Sequence, residues 1–558
     1  MSIISKSLYK IIISAGAFVE NKFEKETKSS LKTNEETLFK ILKSNCNSEI
    51  GLKYKFGEIK SIEEFKKVVP ITEYSFYEDS IERMSKGEKN ILVCKDVEYF
   101  GHTSGTTGKQ KLIATTKKSR LVASKYMALL INRFSYNAFK NQWNYGKGLL
   151  IADIVMTTYT EGNIPICSAT SGGIKGIKPI LSYLYTSPIE VMEIQDKEKA
   201  LYLHLLFALN ESNLLYISGV FISNVVDLFR TLEKNYKNLI MDIRKGTISK
   251  ALNIDEAKRE KLNKYLSPNA SRADKLNEEF NKGMKGIARR IWPSLVYIAT
   301  VTGANFSIYD DKLNYYTDSL PVYSPVYAAT EATIAINPYV KKVEYVIIPD
   351  TVFYEFIPID NYKNSEIKTL NINELKIGGI YEIVLTSYAG LYRYRIGDVI
   401  KVVGFYNNSP SIEFLYRKNQ VLNMVSEKTN EEHLTSAIKN TMDKLKLNLV
   451  DYTTLPDNKV TPGRYVFYFE LKNSLNITDI KMLEKTLDKE LSLSNLAYAR
   501  AVKGKKLGDI KVILVKPNTF NLVKESLFKK GISKNQVKIP RVIIKNKNIL
   551  DILNNNCI

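Results

Sequence analysis

The chain contains few of the residues from which disulfide frameworks and metal centres are built. Its 558 residues include four cysteines and three histidines. Cys46, Cys94, Cys167 and Cys557 show neither CxxC spacing nor the spacing of a metal site, which argues against a disulfide framework and against a zinc site. This cysteine usage fits a reducing compartment, and we expect a cytoplasmic protein.

The sequence also lacks a long apolar segment. No run approaches the roughly 18 consecutive apolar residues of a membrane-spanning helix. Residues 11–19 have the character of a signal-peptide core, but no clear cleavage site follows them and the chain is densely charged from Glu20 onward. A first amphipathic helix is the better interpretation, and we expect no membrane partner.

Acidic residues are outnumbered by basic ones. The chain has 81 Lys and Arg against 59 Asp and Glu, which gives a formal net charge of +22. Such an excess attracts nucleic acid, a membrane surface or an anionic small substrate. The lysines are scattered, and we find no Arg-rich tract or nucleic-acid module, so a compositional bias with some attraction for anions is favoured over a nucleic-acid partner.

Length and composition indicate the domain organisation. A chain of 558 residues exceeds the roughly 250 to 300 residues at which single cores stop growing. Its 44% hydrophobic and 25% charged residues are typical of a soluble globular protein. Beyond about Asn419 the pattern changes to a compact α+β module, which starts with Thr429 and Glu432 in capping-box spacing. We predict a large domain over residues 1–418 and a small one over residues 419–558.

Hydrophobic periodicity predicts helices within the large domain. Residues 119–137 have helical spacing, and residues 187–290 are helix-rich. In that second region Val225, Leu228, Leu232 and Tyr236 recur at steps of three and four residues. We expect these four side chains to share one buried face.

One stretch, GHTSGTTGKQK at residues 101–111, has the composition of a phosphate-binding loop. Gly105 and Gly108 lack a Cβ atom, so backbone N–H groups can approach an anion closely, and the hydroxyl and lysine side chains add donors. Only two residues separate these glycines and Lys109 is followed by glutamine, which excludes the P-loop of NTPases. Taken alone, the stretch fits a polar turn between strands equally well.

Two later acids stand at turns beside predicted strands. Glu331 ends PVYSPVYAATE, which follows a predicted strand over residues 295–301, and strand-to-loop junctions are where open α/β sheets present ligand groups. Asp398 closes TSYAGLYRYRIGD, where its carboxylate can accept hydrogen bonds from a ribose diol. A tight hairpin with a surface Arg–Asp pair is the alternative, and these residues do not decide between the two.

The order of these motifs resembles that of the adenylate-forming superfamily: the loop, then YAATE, the Gly397–Asp398 turn and a late lysine. More narrowly, the chain is similar to the Gretchen Hagen family of acyl-acid amido synthetases. That likeness is carried by TSYAGLYRYRIGDVIKVVGFYNNSP, by YRKN with VSEKTNEE after it, by IWPSLVYIATVTG and by NQVKIPR. It implies an α/β fold with a large N-terminal domain, containing β-barrel and βαβ subdomains, and a small mobile C-terminal α+β domain.

The resemblance also implies a reaction. A small carboxylic acid would attack the α-phosphate of ATP, with Mg²⁺ present, to give an acyl-adenylate and pyrophosphate, and the amine of an amino acid would then displace AMP to form an amide. An acyl-CoA synthetase uses the same first step, but such ligases usually end in a Gly-Lys pattern that is absent here. A basic nucleic-acid-binding protein is the remaining, less favoured alternative.

By the same resemblance, Glu331 would bind Mg²⁺, Thr330 would face the phosphate or the acyl carboxylate, and Lys538 would neutralise charge during adenylation. The residues assigned to ATP are Thr103, Ser104, Gly105, Thr106, Thr107, Gly108 and Lys111 around the phosphates, Tyr327 near the adenine, Asp398 at the ribose, and Ala329 and Arg417. Many family members have two serines where this chain has Ala329 and Thr330. Arg417, Lys418 and Asn419 match the family's hinge stretch, although many related adenylating enzymes have an acid at the position of Asn419.

Overall fold

The structure is a computed structural model that divides into two compact units. It describes residues 3–102, 111–152, 154, 156–175, 178–194, 196–302, 309–359, 367–418, 422, 424, 427, 429–457, 459–460, 462–472, 474–504, 506–528, 538–543 and 546–558. The first unit contains residues up to 102, 112–396 and 402–413, and the second contains Lys111, residues 397–401 and residues 414–558. The boundary predicted between residues 418 and 419 stays a prediction.

The α-helices of the first unit lie mainly before residue 318. In chain order they are α1 (Ile3–Lys28), α2 (Ser30–Asn45), α3 (Glu49–Lys53), α4 (Ile62–Val68), α5 (Glu78–Ser85), α6 (Lys117–Ser124), α7 (Ile131–Phe139), α8 (Ala169–Lys175), α9 (Leu181–Leu184), α10 (Ile189–Met192), α11 (Lys197–Asn210), α12 (Ile222–Lys245), α13 (Glu256–Asn263), α14 (Ala270–Asn281), α15 (Ile287–Ile291) and α16 (Asp310–Thr317).

The strands up to residue 417 form three sheets. They are β1 (Val97–His102), β2 (Leu112–Thr116), β3 (Lys147–Ile151), β4 (Met156–Tyr159), β5 (Pro165–Cys167), β6 (Leu214–Phe221), β7 (Tyr297–Val301), β8 (Val322–Tyr323), β9 (Val326–Ala328), β10 (Thr333–Ile336), β11 (Tyr345–Ile347), β12 (Phe353–Pro358), β13 (Ile380–Thr386), β14 (Tyr394–Tyr406) and β15 (Ser409–Arg417). Two sheets are four-stranded, with the orders β2-β1-β5-β4 and β3-β6-β7-β8, and the third is seven-stranded, with the order β12-β13-β14-β15-β11-β10-β9.

The sheet of β3, β6, β7 and β8 is parallel and buried on both faces. Its strands pair in parallel, with Ile217 opposite Ile298 and Ala299 opposite Tyr323. Because side chains alternate along a strand, Ile298 joins the core formed with α11 and α12, whereas Tyr297 packs in the core that includes Tyr9 of α1. Helices on both faces are the usual cover of a parallel sheet.

Helix α12 confirms the predicted buried face. Val225, Leu228 and Leu232 all lie in the core beside the parallel sheet, and Tyr236 packs against that core while staying partly exposed. The helical spacing predicted over residues 119–137 is confirmed in part. The helix is not a continuous α-helix, because a π-helical segment, Lys125–Leu130, separates α6 from α7. In this segment the adjacent residues Lys125 and Tyr126 both bond the carboxylate of Asp350.

The second unit is an α+β module. Its helices and strands are α17 (Glu431–Leu445), β16 (Leu449–Asp457), β17 (Arg464–Leu471), α18 (Ile477–Ser494), α19 (Leu496–Lys503), β18 (Lys511–Leu514), α20 (Thr519–Phe528) and α21 (Lys547–Asn555). The sheet has the order β16-β17-β18, antiparallel between the first pair and parallel between the second. Together with the sheets and helices of the larger first unit, this module confirms the predicted α/β fold class with a small α+β part.

The predicted capping box of α17 is wrong by one residue. The helix is capped by Asn430, whose side chain accepts a hydrogen bond from the backbone N–H of His433. Thr429 lies buried instead, and its hydroxyl binds the side chains of Tyr465 and Asn495. Asparagine caps helices as well as threonine does, so the neighbouring residue took the cap while Thr429 joined the core.

Both arginines of the LYRYR motif form ion pairs within the first unit. Arg393 is buried, and its guanidinium donates to the Glu355 carboxylate at 2.7 Å and to the carbonyl oxygens of Lys66 and Val69. Arg395 pairs with Glu382 at 2.7 Å. A planar guanidinium with five N–H donors suits such multiple bonding. These two arginines therefore have structural roles.

No helix in the described part of the chain is long and apolar enough to cross a membrane.

Replacing Arg393 should destabilise the protein strongly. Arg393→Met would leave the buried Glu355 carboxylate without its cation, and breaking a buried pair in this way costs about 3 to 5 kcal/mol. We expect calorimetry to show a lower melting temperature. Arg83→Met is the control, because Arg83 pairs with Glu49 at the surface, and it should change the melting temperature little. An equal fall for both variants would contradict the buried-pair argument.

Candidate active site

The β1–β2 hairpin frames the glycine-rich stretch. His102 pairs with Leu112 in antiparallel register, so the two ends of the stretch lie on neighbouring strands. The Tyr74 hydroxyl accepts a hydrogen bond of 2.8 Å from the Leu112 N–H and donates one of 3.3 Å to the Leu112 carbonyl. Thr103, Ser104, Gly105, Thr106, Thr107 and Gly108 lie outside the described residues, so their phosphate-binding roles remain predictions, as does that of Lys111.

Gly101, the last residue before His102, touches Thr330. An ideal Cβ atom built on Gly101 would lie 2.7 Å from Thr330 Cγ2. This distance is shorter than any ordinary contact between carbon atoms. Glycine at position 101 therefore allows the end of β1 to lie directly against Thr330.

Thr330 and Glu331 form the tip of a tight hairpin. Strands β9 and β10 are antiparallel, and the backbone N–H groups of Ala329 and Ala332 each donate to the carbonyl of the other, at 2.9 and 3.2 Å. Thr330 and Glu331 are the two residues between them. The predicted strand-to-loop junction is thus a hairpin tip, which places a hydroxyl and a carboxylate side by side. Tyr327 and Ala329 belong to the same hairpin.

A small pocket lies beside Glu331, with a volume of about 30 Å³. That volume holds roughly one water molecule. Its walls come from α6, from the hairpin tip, from the residues before β12 and from the turn after β13. The lining residues are Ser119, Val122, Ala123, Glu331, Ala332, Thr333, Thr351, Val352, Ser387 and Tyr388. Short apolar and hydroxyl side chains thus surround the approach to one carboxylate.

Tyr388 is held in this pocket by a turn within TSYAG. The Ser387 hydroxyl accepts from Ala389 N–H at 3.2 Å, and Gly390, in the left-handed conformation at φ +88°, donates to the Ser387 carbonyl at 3.3 Å. Burial, followed by the negative charge of Asp350, raises the pKa of Tyr388 to about 12. Its phenol is therefore protonated at neutral pH and can donate a hydrogen bond. Before the structure was known, only its place in the motif pointed to Tyr388.

Two lysines maintain the charge of Asp350. Lys125 Nζ lies 2.6 Å and Lys22 Nζ 3.0 Å from Asp350 Oδ2. Burial opposes ionisation of this carboxyl, but the two cations and the Tyr126 hydroxyl hold its pKa below the ordinary value. Asp350 precedes the pocket residues Thr351 and Val352, so an ionised cluster underlies that wall.

In the second unit, Asp398 pairs with Arg417. Asp398 is buried within β14, and Arg417 Nε lies 2.5 Å from its Oδ1 atom. The preceding Gly397 has φ +79°, a left-handed conformation inside a strand that is typical of a bulge. The surface Arg–Asp pair considered from the sequence is therefore not what forms: Arg393 and Arg395 pair with glutamates, and the buried Asp398 pairs with Arg417, outside the motif. A ribose-binding role for Asp398 stays a prediction.

Lys538 also lies in the second unit, close to an acid. Its Nζ atom is 3.7 Å from Oε2 of Glu431, the first residue of α17. The sequence had singled out Lys538 but not Glu431. Asn419, of the predicted hinge stretch, lies outside the described residues.

A divalent metal is compatible with Glu331. The described residues contain no group of three or more His, Cys, Asp or Glu side chains suited to a metal. Mg²⁺ is commonly held by one or two carboxylates together with substrate phosphates and water. A single half-buried carboxylate at a hairpin tip, lining a pocket, fits that donor set.

Models of one family match most of the chain. The GH3 family N-terminal domain matches residues 19–322, the central domain residues 345–417 and the C-terminal domain residues 432–547. The third match starts close to the first residue of α17.

Individual proteins show the same likeness. The indole-3-acetic acid-amido synthetase GH3.5 of Arabidopsis thaliana is 30% identical over 96% of this chain and 92% of its own length. The solved structure of the GH3.15 acyl acid amido synthetase has a TM-score of 0.85 at 26% identity, covering 96% of this chain and 95% of that one. A 2-hydroxyisobutyryl-CoA ligase, in complex with 2-HIB-AMP, shares the fold alone, with a TM-score of 0.53 at 11% identity over 95% of this chain and 92% of the other.

The contact between Gly101 and Thr330 predicts a mutant and its rescue. Gly101→Ala should lower the melting temperature, because overpacking of this kind costs about 1 to 3 kcal/mol. Adding Thr330→Ser removes the clashing methyl group and should restore most of the loss. Gly173→Ala is the control, since a Cβ atom there meets nothing within 4 Å. Failure of the double variant to recover would show that the contact with Thr330 is not the cause.

Proposed function

Because the chain belongs to the GH3 family and is an enzyme that joins an acid to an amino acid through an amide bond, we propose that it does so through an acyl-adenylate made from ATP. In the first step a carboxylate oxygen of the acid bonds to the α-phosphorus and pyrophosphate leaves. In the second step the amine nitrogen bonds to the acyl carbon, AMP leaves, and the amine loses a proton.

The observation that carries this proposal is the contact between Gly101 and the Thr330–Glu331 tip. It brings the start of the glycine-rich stretch to a hydroxyl and a carboxylate within the same unit. A reaction that joins two anions needs fixed donors and a cation where negative charge develops. The Thr330 hydroxyl would donate to the α-phosphate or the acyl carboxylate. Glu331 would hold Mg²⁺, which neutralises charge on the phosphates when bound.

We assign the nucleotide to the residues that the family likeness indicates. Residues 103–108 and Lys111 would hold the phosphates, and Tyr327 and Ala329 would lie at the adenine. Asp398 would accept hydrogen bonds from the ribose, since both oxygens of a carboxylate carry acceptor sites. Residues 419–558 would form the mobile domain, with Arg417 in its hinge stretch, and Lys538 would neutralise charge during adenylation and withdraw before the amine enters.

We place the acid in the pocket beside Glu331. Val122 and Ala123 of α6 offer apolar contacts, and the protonated Tyr388 phenol offers a donor. A volume of about 30 Å³ is too small for a complete acid, so binding requires the side chains of α6 to shift. This lining favours a small or slender acid over a bulky one. The partners are then a small carboxylic acid and an amino acid, and neither nucleic acid nor a membrane is needed.

Product analysis tests the reaction. We expect the protein, supplied with ATP, Mg²⁺ and a panel of aryl and aliphatic acids, to release AMP and to form an amide when amino acids are added. Mass spectrometry identifies the product. A parallel reaction with CoA in place of the amino acids should give no thioester above background. A thioester without any amide would establish the acyl-CoA synthetase alternative.

The metal role of Glu331 predicts a changed Mg²⁺ titration. Glu331→Gln should raise the Mg²⁺ concentration needed for half-maximal pyrophosphate release by about tenfold, since the charged ligand is lost while the side chain keeps its size. Glu344→Gln is the control, because Glu344 lies outside the hairpin tip and contacts only Lys342, at 4.0 Å, among the ion pairs of the described residues. Identical titrations for both variants would count against a metal at Glu331.

A further inference from the structure

Glu431 is a buried acid whose burial the fold does not explain. It is 1% exposed, and neither of its carboxylate oxygens has a hydrogen-bond partner among the described residues. It is not the cap of α17, because Asn430 fills that position and binds His433 N–H at 2.9 Å. An ionised carboxylate in such surroundings is unfavourable unless a cation accompanies it.

The cation next to Glu431 is Lys538. Lys538 Nζ lies 3.7 Å from Glu431 Oε2, and the side chains of the two residues are 27% and 2% exposed. At this distance the attraction is electrostatic and no hydrogen bond is formed. The carboxylate is thus enclosed, while the ammonium group lies at the surface of the unit.

The backbone that carries Lys538 is fixed on β16. Thr454 N–H donates to the Arg541 carbonyl at 2.9 Å, and Ile543 N–H donates to the Thr454 carbonyl at 2.8 Å. The Arg541 guanidinium bonds the buried Asp451 and lies 4.4 Å from the centre of the Tyr452 ring. The backbone close to Lys538 is therefore anchored on β16, and Glu431 constrains the ammonium end of the side chain.

We propose that Glu431 is a positioning residue for Lys538 in the adenylation step, an inference that rests on the role proposed above for Lys538. A lysine side chain has four rotatable bonds and loses much rotamer entropy when it is ordered. The enclosed charge of Glu431 restricts that freedom before ATP binds. The ammonium group has three N–H donors, and at 3.7 Å Glu431 attracts it without accepting a hydrogen bond from any of them.

The first test is Glu431→Gln, which removes the charge and keeps the shape. We expect the turnover number of acid-dependent ATP–pyrophosphate exchange to fall about tenfold, with the KM values for ATP and the acid changed less than twofold. Amide formation from a preformed acyl-adenylate should be unchanged. The melting temperature should stay the same or rise, because a buried charge is lost. Parallel losses in both half-reactions and in melting temperature would show a merely structural residue and overturn the proposal.

A double-mutant cycle with Lys538→Ala tests whether Glu431 influences ATP–pyrophosphate exchange through Lys538. If Glu431 acts through Lys538, Glu431→Gln should change exchange less than twofold once Lys538 is alanine. A further tenfold loss in the double variant overturns the proposal while leaving the role of Lys538 intact. Full exchange activity in Lys538→Ala alone overturns the role of this lysine and the positioning role with it.

Glu490→Gln is the matched control within the same unit. Glu490 is also buried and also pairs with a lysine, Lys444, at 2.5 Å. Since it does not contact Lys538, its replacement should leave pyrophosphate exchange unchanged. A tenfold loss there as well would show that exchange responds to any buried charge in this unit and would overturn the assignment to Glu431.

Discussion

The absence of a side chain at Gly101 is the constraint on which the first unit's site depends. The end of β1 and the tip of the β9–β10 hairpin belong to different sheets and are separated by more than 200 residues in the chain. They approach so closely that a methyl group on Gly101 would overlap Thr330. The end of β1 can lie against the hydroxyl and carboxylate side chains of the hairpin tip because this space is left free of a side chain.

Three carboxylates described above, Glu355, Asp350 and Glu431, each have basic partners, and these ion pairs differ in what they do. Arg393 with Glu355 joins segments of the first unit through a guanidinium that also binds two backbone carbonyls. Asp350 keeps its charge through two lysines under one wall of the pocket. Lys538 with Glu431 is different, because its cation is partly exposed and only its acid is enclosed. The net charge of +22 is therefore a poor guide to function, whereas the exposure of each partner is informative.

Sequence reasoning identified the family and the chemistry but not the details that depend on packing. The buried face of α12 follows from periodicity, which reports the environment of every turn. The hairpin at Thr330, the cap at Asn430 and the contact of Glu431 with Lys538 were missed. Each depends on a residue distant in the chain or on a choice between neighbouring residues of equal propensity, neither of which a local pattern records. Tyr388 was missed for the same reason, since its pKa is raised first by burial and then by the charge of Asp350, which lies on another strand connection.

The π-helical segment Lys125–Leu130 follows α6, and it bears on the acid-binding role that we propose for the pocket beside Glu331. A π-turn holds one residue more than an α-turn, so deleting a single residue there would restore a continuous α-helix. The residues before the segment would then be rotated about the helix axis by about 100° relative to the residues after it, because an α-helix has about 3.6 residues per turn. Val122 and Ala123 would leave the pocket wall and other side chains would replace them. The deletion of one residue outside the pocket, with no substitution of any pocket residue, is thus a route by which such an enzyme could diverge to a different acid.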